Sequence, residues 1–308
     1  MTNFDLTGVY PAMTTPFAPD GSIDHETLAD DARRLERAGV AGLVPVGSTG
    51  ESATLTHDEH VAVVETVVDA VDDVPVIAGS GSNSTREALE LSRRSAAVGA
   101  DGLLLISPYY NKPEQEGIVE HYRTVADEVD VPQIVYNVPS RTGSNIEPAT
   151  VEALASHDNI AGYKAASGDI GQISEVVERT REEEFSVLSG DDALTLPVIS
   201  VGGDGVISVT GNVEPERMVA LADAALGGEM DRARDLHHEL GPLNRLLFAE
   251  TNPIPVKAAM EIRGHSSGAL RPPLTDLTAE NRETLEAALD ELDATREESL
   301  RLEPAEGA

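Results

Sequence analysis

Asn159-Ile160-Ala161-Gly162-Tyr163-Lys164-Ala165-Ala166-Ser167-Gly168 is a short apolar run that ends at a Ser-Gly-Asp turn. That pattern reads as a buried strand followed by a loop. The chain has only three lysines, Lys112, Lys164 and Lys257, against nineteen arginines. In so acidic a chain the few lysines are expected on the surface, yet Lys164 lies inside the run. An ammonium at the end of a buried strand is costly to desolvate unless it loses its proton or is paired. A lysine that deprotonates near neutral pH is a nucleophile suited to carbonyl compounds. The bland alternative is a lysine that snorkels to water or pairs with a carboxylate.

Outward from this stretch the same pattern repeats. Before it come Gly8-Val-Tyr-Pro-Ala-Met-Thr-Thr-Pro, Gly42-Leu-Val-Pro-Val, Val74-Pro-Val-Ile-Ala-Gly-Ser-Gly, Gly102-Leu-Leu-Leu-Ile-Ser-Pro-Tyr-Tyr and Pro132-Gln-Ile-Val-Tyr-Asn-Val-Pro. After it come Phe185-Ser-Val-Leu-Ser-Gly and Gly205-Val-Ile-Ser-Val-Thr. Helical stretches alternate with these runs, and the one from about Asp58 to Val71 opens with Thr56 and Glu59 in a capping-box arrangement. Runs that are apolar throughout belong to strands covered on both faces, as in parallel sheets. Eight strand–helix pairs fit a closed (β/α)8 TIM barrel, here residues 1–228, better than an open doubly wound sheet. The absence of G-x-G-x-x-G after the first strand weakens a dinucleotide-binding reading further. Residues 229–308 read as a C-terminal helical extension, with helices at about Met230 to Leu247, Asn252 to Ile262 and Ala279 to Leu302. The last is very acidic and reads as a solvated face.

The chain carries 22 basic and 55 acidic residues, a net charge of −33, and no cysteine. The charge argues against nucleic acid or an anionic membrane as a partner. The lack of cysteine excludes disulfides and thiolate chemistry. No basic leader precedes an apolar segment and no run reaches membrane-spanning length, so a cytoplasmic protein is expected. Acids spread over nearly every helix would repel one another at ordinary ionic strength. Molar salt shortens the screening length to about 3 Å, so adaptation to high intracellular salt, as in a halophile, is expected.

In a barrel of this kind the chemistry sits at the C-terminal ends of the strands. Those ends hold Thr14 and Thr15, Ser48 and Thr49, Tyr109 and Tyr110, Tyr136 and Arg141, Lys164, Gly190 and Ile207. An amine, phenols, adjacent hydroxyls and a guanidinium can together form an imine with a keto acid, move its protons and clasp a carboxylate. Gly47 to Ser52 suggests a phosphate cradle but lacks the Gly-Lys-Ser/Thr of a P-loop. His57-Asp-Glu-His60 is not the His-Glu-x-x-His of a zinc helix. No metal and no cofactor is expected.

The motifs Gly47-Ser-Thr-Gly-Glu-Ser-Ala-Thr-Leu, Pro108-Tyr-Tyr-Asn-Lys-Pro, Tyr136-Asn-Val-Pro-Ser-Arg-Thr-Gly, Gly162-Tyr-Lys, Ser189-Gly-Asp-Asp, Gly205-Val-Ile-Ser-Val-Thr and Asn252-Pro-Ile-Pro-Val-Lys together resemble the dihydrodipicolinate synthase family. The resemblance runs from about Gly8 into the C-terminal helices. It implies a lyase that condenses pyruvate, held as a Schiff base on Lys164, with L-aspartate 4-semialdehyde, on the way to diaminopimelate and lysine. It further implies that Tyr136 is the proton donor and acceptor, that Ser48 and Thr49 relay protons to it, and that Thr49 and Ile207 contact bound pyruvate; Gly190, at the end of its strand, is expected to be substrate-binding as well. Tyr110 matches the tyrosine that family members insert into a neighbouring subunit's site, so a homotetramer built from two dimers is implied. Arg141 matches the group that holds the semialdehyde carboxylate; relatives that cleave sialic acid or 2-keto-3-deoxy sugar acids lack it. Ser52, Ala53, His57, His60, Asn83, Glu87 and Tyr109 match an L-lysine effector site. Two departures stand out: Ser48 replaces the usual threonine, and Ala165 replaces a common glutamate on the face away from the lysine. The alternatives are a 2-keto-3-deoxy sugar acid aldolase of the same fold and a non-catalytic barrel that binds a keto acid.

Overall fold

The computed structural model describes residues 6–302, with side chains described as far as residue 295. Among the described residues seven strands form one parallel sheet: β1 (Gly8–Pro11), β2 (Ile77–Gly79), β3 (Gly102–Ile106), β4 (Gln133–Asn137), β5 (Ile160–Ala165), β6 (Ser186–Ser189) and β7 (Gly205–Ser208). Their order is β1-β7-β6-β5-β4-β3-β2, so every neighbour pair except β1–β7 is consecutive in sequence. The expected eighth strand, Gly42 to Val46, is not a ladder strand. It joins the two sheet edges by single parallel bridges, Ala12 to Val44 and Leu43 to Val76. Val44 N–H donates to Pro11 C=O at 2.9 Å on one side, and Ile77 N–H to Leu43 C=O at 2.8 Å on the other, which closes the ring. On the β1 side the ladder stops because Pro45 has no N–H; on the β2 side Pro45 C=O still accepts from Gly79 N–H at 3.0 Å before Val46 turns to φ +51°.

Side-chain alternation then sorts the residues. Tyr10, Ile77, Leu104, Ile134, Tyr136, Leu188 and Ile207 fill the barrel interior. Val135, Tyr163, Ala165 and Val187 point outward into the layer shared with the helices. Lys164 lies between Tyr163 and Ala165, so the period of two turns it inward. Ala165 is fully buried against the helices, on the face opposite the lysine, as the sequence suggests.

The helices follow the sequence pattern closely. The helix His57–Val68 opens with the expected capping box: Glu59 N–H donates to Thr56 Oγ1, and Glu59 Oε2 accepts from Thr56 N–H at 2.9 Å. Such a cap is worth about 1 kcal/mol. The extension contributes helices Met230–Leu246, Ile254–Ile262 and Ala279–Leu302. In the last, Glu280, Glu283, Glu286, Asp290 and Glu291 are exposed, but Leu285, Leu289 and Leu292 form a buried stripe against Val256, Ala259 and Met260. Val209 and Val213, just beyond β7, belong to the same cluster. Among the described residues no helix is long and apolar enough to cross a membrane.

Candidate active site

Lys164 reaches the C-terminal mouth of the barrel from β5, is 5% exposed, and holds its Nζ 4.3 Å from the centroid of the Tyr136 ring. The two strands are in register, Tyr136 opposite Lys164, which fixes this meeting. Burial pulls the Lys164 amine down to about 7 from an ordinary value above 10; Asp192 opposes the shift and the Arg141 guanidinium adds to it. The amine is therefore substantially neutral near pH 7 and available as a nucleophile. Asp192 is fully buried and is held by Ser208 Oγ, by Val209 N–H at 2.9 Å and by Thr210 N–H. Burial raises its carboxyl, against those hydrogen bonds. Burial likewise raises the Tyr136 phenol, opposed by the Arg141 charge and by a hydrogen bond with Ser48. A phenol so placed keeps its proton and can lend it to a neighbouring atom.

The hydroxyl pair comes from the loop that follows Val46. Ser48 bonds Tyr136, and Thr49 Oγ1 accepts a hydrogen bond from Asn252 Nδ2 at 2.9 Å. The loop is pinned from two sides: Thr15 Oγ1 donates to Gly50 C=O at 2.7 Å, and the buried Glu51 carboxylate pairs with Lys257. Thr14 is buried beside Thr15. Arg141 sits on a short turn of helix after β4, Pro139–Thr142, and Nη2 donates to Asn252 C=O at 2.8 Å.

A cavity of about 1000 Å³ opens over this group, lined by Thr49, Tyr136, Arg141, Lys164, Gly190 and Asn252 among others. Gly190 is small for a reason: a Cβ there would lie 3.0 Å from Lys164 Cε and 2.8 Å from Ala166 Cβ. Ile207, also expected at this site, is fully buried in the barrel interior and does not line the cavity.

A second cavity of about 440 Å³ shares Tyr136, Arg141 and Asn252 with the first. Six of the seven expected effector residues line it: Ser52, Ala53, His57, His60, Glu87 and Tyr109. Asn83 does not; its backbone C=O accepts from Asn111 Nδ2 at 2.9 Å just beside it. Here His57 Nε2 faces Glu87 Oε1 at 3.1 Å. The His60 ring nitrogen lies 2.6 Å from Gly79 C=O, and burial pushes its pKa down to about 4. Tyr110 stands apart from both cavities, 89% exposed and at φ +72°.

Asn252 and Lys257 are among the residues of the site to which the sequence assigns no role, as are Asp192 and Glu51. Asn252 and Lys257 both stand in the Asn252-Pro-Ile-Pro-Val-Lys motif, yet no local pattern says what they touch. Their partners, Thr49 and Glu51, lie 203 and 206 residues away. The one available signal was a lysine and an asparagine inside an apolar helix start in a chain with three lysines.

Residues 5–292 match the model of the dihydrodipicolinate synthetase family. The chain is 69% identical over 293 residues to a 4-hydroxy-tetrahydrodipicolinate synthase of Haloarcula marismortui, covering 95% of this chain and 96% of that one. It is 67% identical to the enzyme of the same name from Natronomonas pharaonis, over 95% and 100% of the two chains. Its fold matches the structure of a dihydrodipicolinate synthase from Cyanidioschyzon merolae with lysine bound, with a TM-score of 0.91 and 38% identity, over 95% of this chain and 99% of that one. The chain belongs to the dihydrodipicolinate synthetase family.

Proposed function

We propose that the protein is a lyase that condenses pyruvate with L-aspartate 4-semialdehyde to 4-hydroxy-tetrahydrodipicolinate. The observation that carries this reading is Lys164, a buried amine with a pKa drawn to about 7, facing Tyr136 across 4.3 Å at the mouth of the cavity. The neutral amine adds to the ketone carbon of pyruvate, and the carbinolamine loses water to give an imine. Tyr136 supplies the proton that the departing hydroxyl needs and, as the phenolate, takes up the methyl proton when the imine becomes an enamine. The enamine carbon forms the new bond to the aldehyde carbon, Tyr136 protonates the resulting alkoxide, and the semialdehyde's amino group displaces Lys164 from the imine carbon, closing the ring and freeing the amine. Ser48 and Thr49 carry protons between Tyr136 and the cavity.

Arg141 retains Nη1 and Nε for a substrate after spending Nη2 on Asn252, and a carboxylate is the group its planar fork suits. That choice favours an aspartate-derived aldehyde over a sugar-like one. Gly190 keeps the space beside the imine nitrogen free. Tyr110, exposed on one chain, completes the proton path in a second copy, so the working unit is a homotetramer of two dimers. The smaller cavity takes L-lysine, in keeping with the relative whose structure holds lysine. The acidic surface suits a cytoplasm of molar salt, in keeping with the haloarchaeal relatives.

The test is pyruvate consumption in molar KCl with aspartate semialdehyde or glyceraldehyde, each with and without L-lysine. Turnover with the semialdehyde alone, lost on adding lysine, supports the substrate, the role of Arg141 and the effector site. Preference for glyceraldehyde would keep the imine and overturn the substrate. Absence of a pyruvyl adduct on Lys164 after borohydride reduction would leave only a binding barrel.

A further inference from the structure

Asn252 belongs to the C-terminal part of the chain, yet it is 6% exposed and lines both cavities at the barrel mouth. It makes two contacts with the groups assigned above, through different atoms. Its side-chain Nδ2 donates to Thr49 Oγ1 at 2.9 Å, and its backbone C=O accepts from Arg141 Nη2 at 2.8 Å. Its Oδ1 is buried with no hydrogen-bond partner among the described residues.

A threonine hydroxyl has one proton to give. Because Thr49 Oγ1 accepts from the amide N–H, that proton is not needed toward Asn252 and is free to point into the cavity that Thr49 lines with Tyr136 and Lys164. With an acceptor in place of the amide N–H, the hydroxyl would turn round and donate backwards. We propose that Asn252 is a positioning residue whose side chain sets the direction of the hydroxyl relay, while its backbone independently anchors Arg141. This rests on the Schiff-base reading above, and it assigns the C-terminal segment a part in proton transfer rather than in packing alone.

The two contacts make separable predictions. Asn252→Ala removes the donor to Thr49 but leaves the backbone carbonyl. It should lower kcat by roughly 10- to 100-fold, the scale of a misplaced group, with the semialdehyde KM within about twofold of wild type. Thr49→Val should lower kcat as well, and the double variant N252A/T49V should be no slower than T49V. The decisive variant is Asn252→Asp, which keeps the shape and offers only an acceptor at neutral pH. Its kcat should fall at pH 8 and recover toward wild type, measured at the same pH, as pH falls and the N252D carboxyl gains a proton it can donate to Thr49. A role in packing alone gives no such recovery.

Borohydride trapping with pyruvate on the wild-type protein separates the two levels of the reading. Without a Lys164 adduct in the wild type, the Schiff-base reading itself fails. With the adduct present, three results overturn the role of Asn252: a normal kcat in N252A, independent multiplying losses in the double variant, or a raised semialdehyde KM with kcat unchanged. The last would instead make Oδ1 a substrate contact. If N252A does not fold, the pH recovery of N252D against wild type decides alone.

Discussion

Lys164 and Lys257 are both buried, 5% and 1% exposed, and each lays its ammonium over an aromatic ring, 4.3 Å from the Tyr136 centroid and 4.1 Å from that of Phe17. Burial draws both amines down, to about 7 in Lys164 and to about 8 in Lys257. What differs is the partner. Lys257 Nζ donates to the Glu51 carboxylate and, at 2.7 Å, to Ala269 C=O. Lys164 has neither an ion pair nor a hydrogen bond to any described residue, and it opens on the larger cavity. Desolvation alone does not mark a reactive lysine. Lys164 is desolvated and left unpaired beside open space, which is what the proposed Schiff-base role requires, while Lys257 ties the Ser48–Thr49 loop to the C-terminal helices.

Substitutions at the two lysines should therefore fail in opposite ways. Lys164→Met should cut turnover by a factor on the order of 10⁴ or greater and abolish the borohydride-trapped adduct, with the melting temperature equal to wild type or higher. A marked loss of stability would mean that Lys164 is a structural residue after all.

Lys257→Met should leave the Glu51 charge buried and alone, costing about 3–5 kcal/mol in urea unfolding. The pair E51Q/K257M should regain most of it, because it removes both charges. Unfolding of K257M that matched wild type would break the contrast between the lysines.

The pH dependence sharpens it. Attack requires the neutral amine, so the rate of adduct trapping should rise as pH climbs to about 7 and then level off, rather than climb toward 10. The linkage runs in the same direction. Between about 7 and the ordinary lysine value the unfolded chain binds more protons at this position, so stability rises with pH across that window. K164M should lose that part of the slope, as seen in denaturant melts at pH 7 and pH 9.

The smallest effect is global. With a net charge of −33, the melting temperature should rise between low and molar KCl as the screening length shrinks from about 10 Å to about 3 Å. A flat or falling curve would count against adaptation to high salt.

Much of this was legible in the order of residues. Apolar runs announce strands because a parallel sheet is covered on both faces, and the period of two turns Lys164 inward while Ala165 packs outward. Thr56 and Glu59 announce a helix start because both capping bonds span three residues. Gly42 to Val46 misled in one respect. Its hydrophobicity is that of a strand, but Pro45 cannot donate, so the segment closes the barrel by bridges.

What the chain's own order determined is everything set by short-range chemistry: the alternation of strands and helices, the caps, and a lone lysine in an apolar run. What only the tertiary structure decided is which buried polar groups meet. The pairing of Asn252 with Thr49 and of Lys257 with Glu51 spans more than 200 residues. No local propensity encodes such a contact. It exists because the closed barrel and the docked C-terminal helices leave those donors nowhere to go but to the Ser48–Glu51 loop, and burial penalises any that stay unpaired.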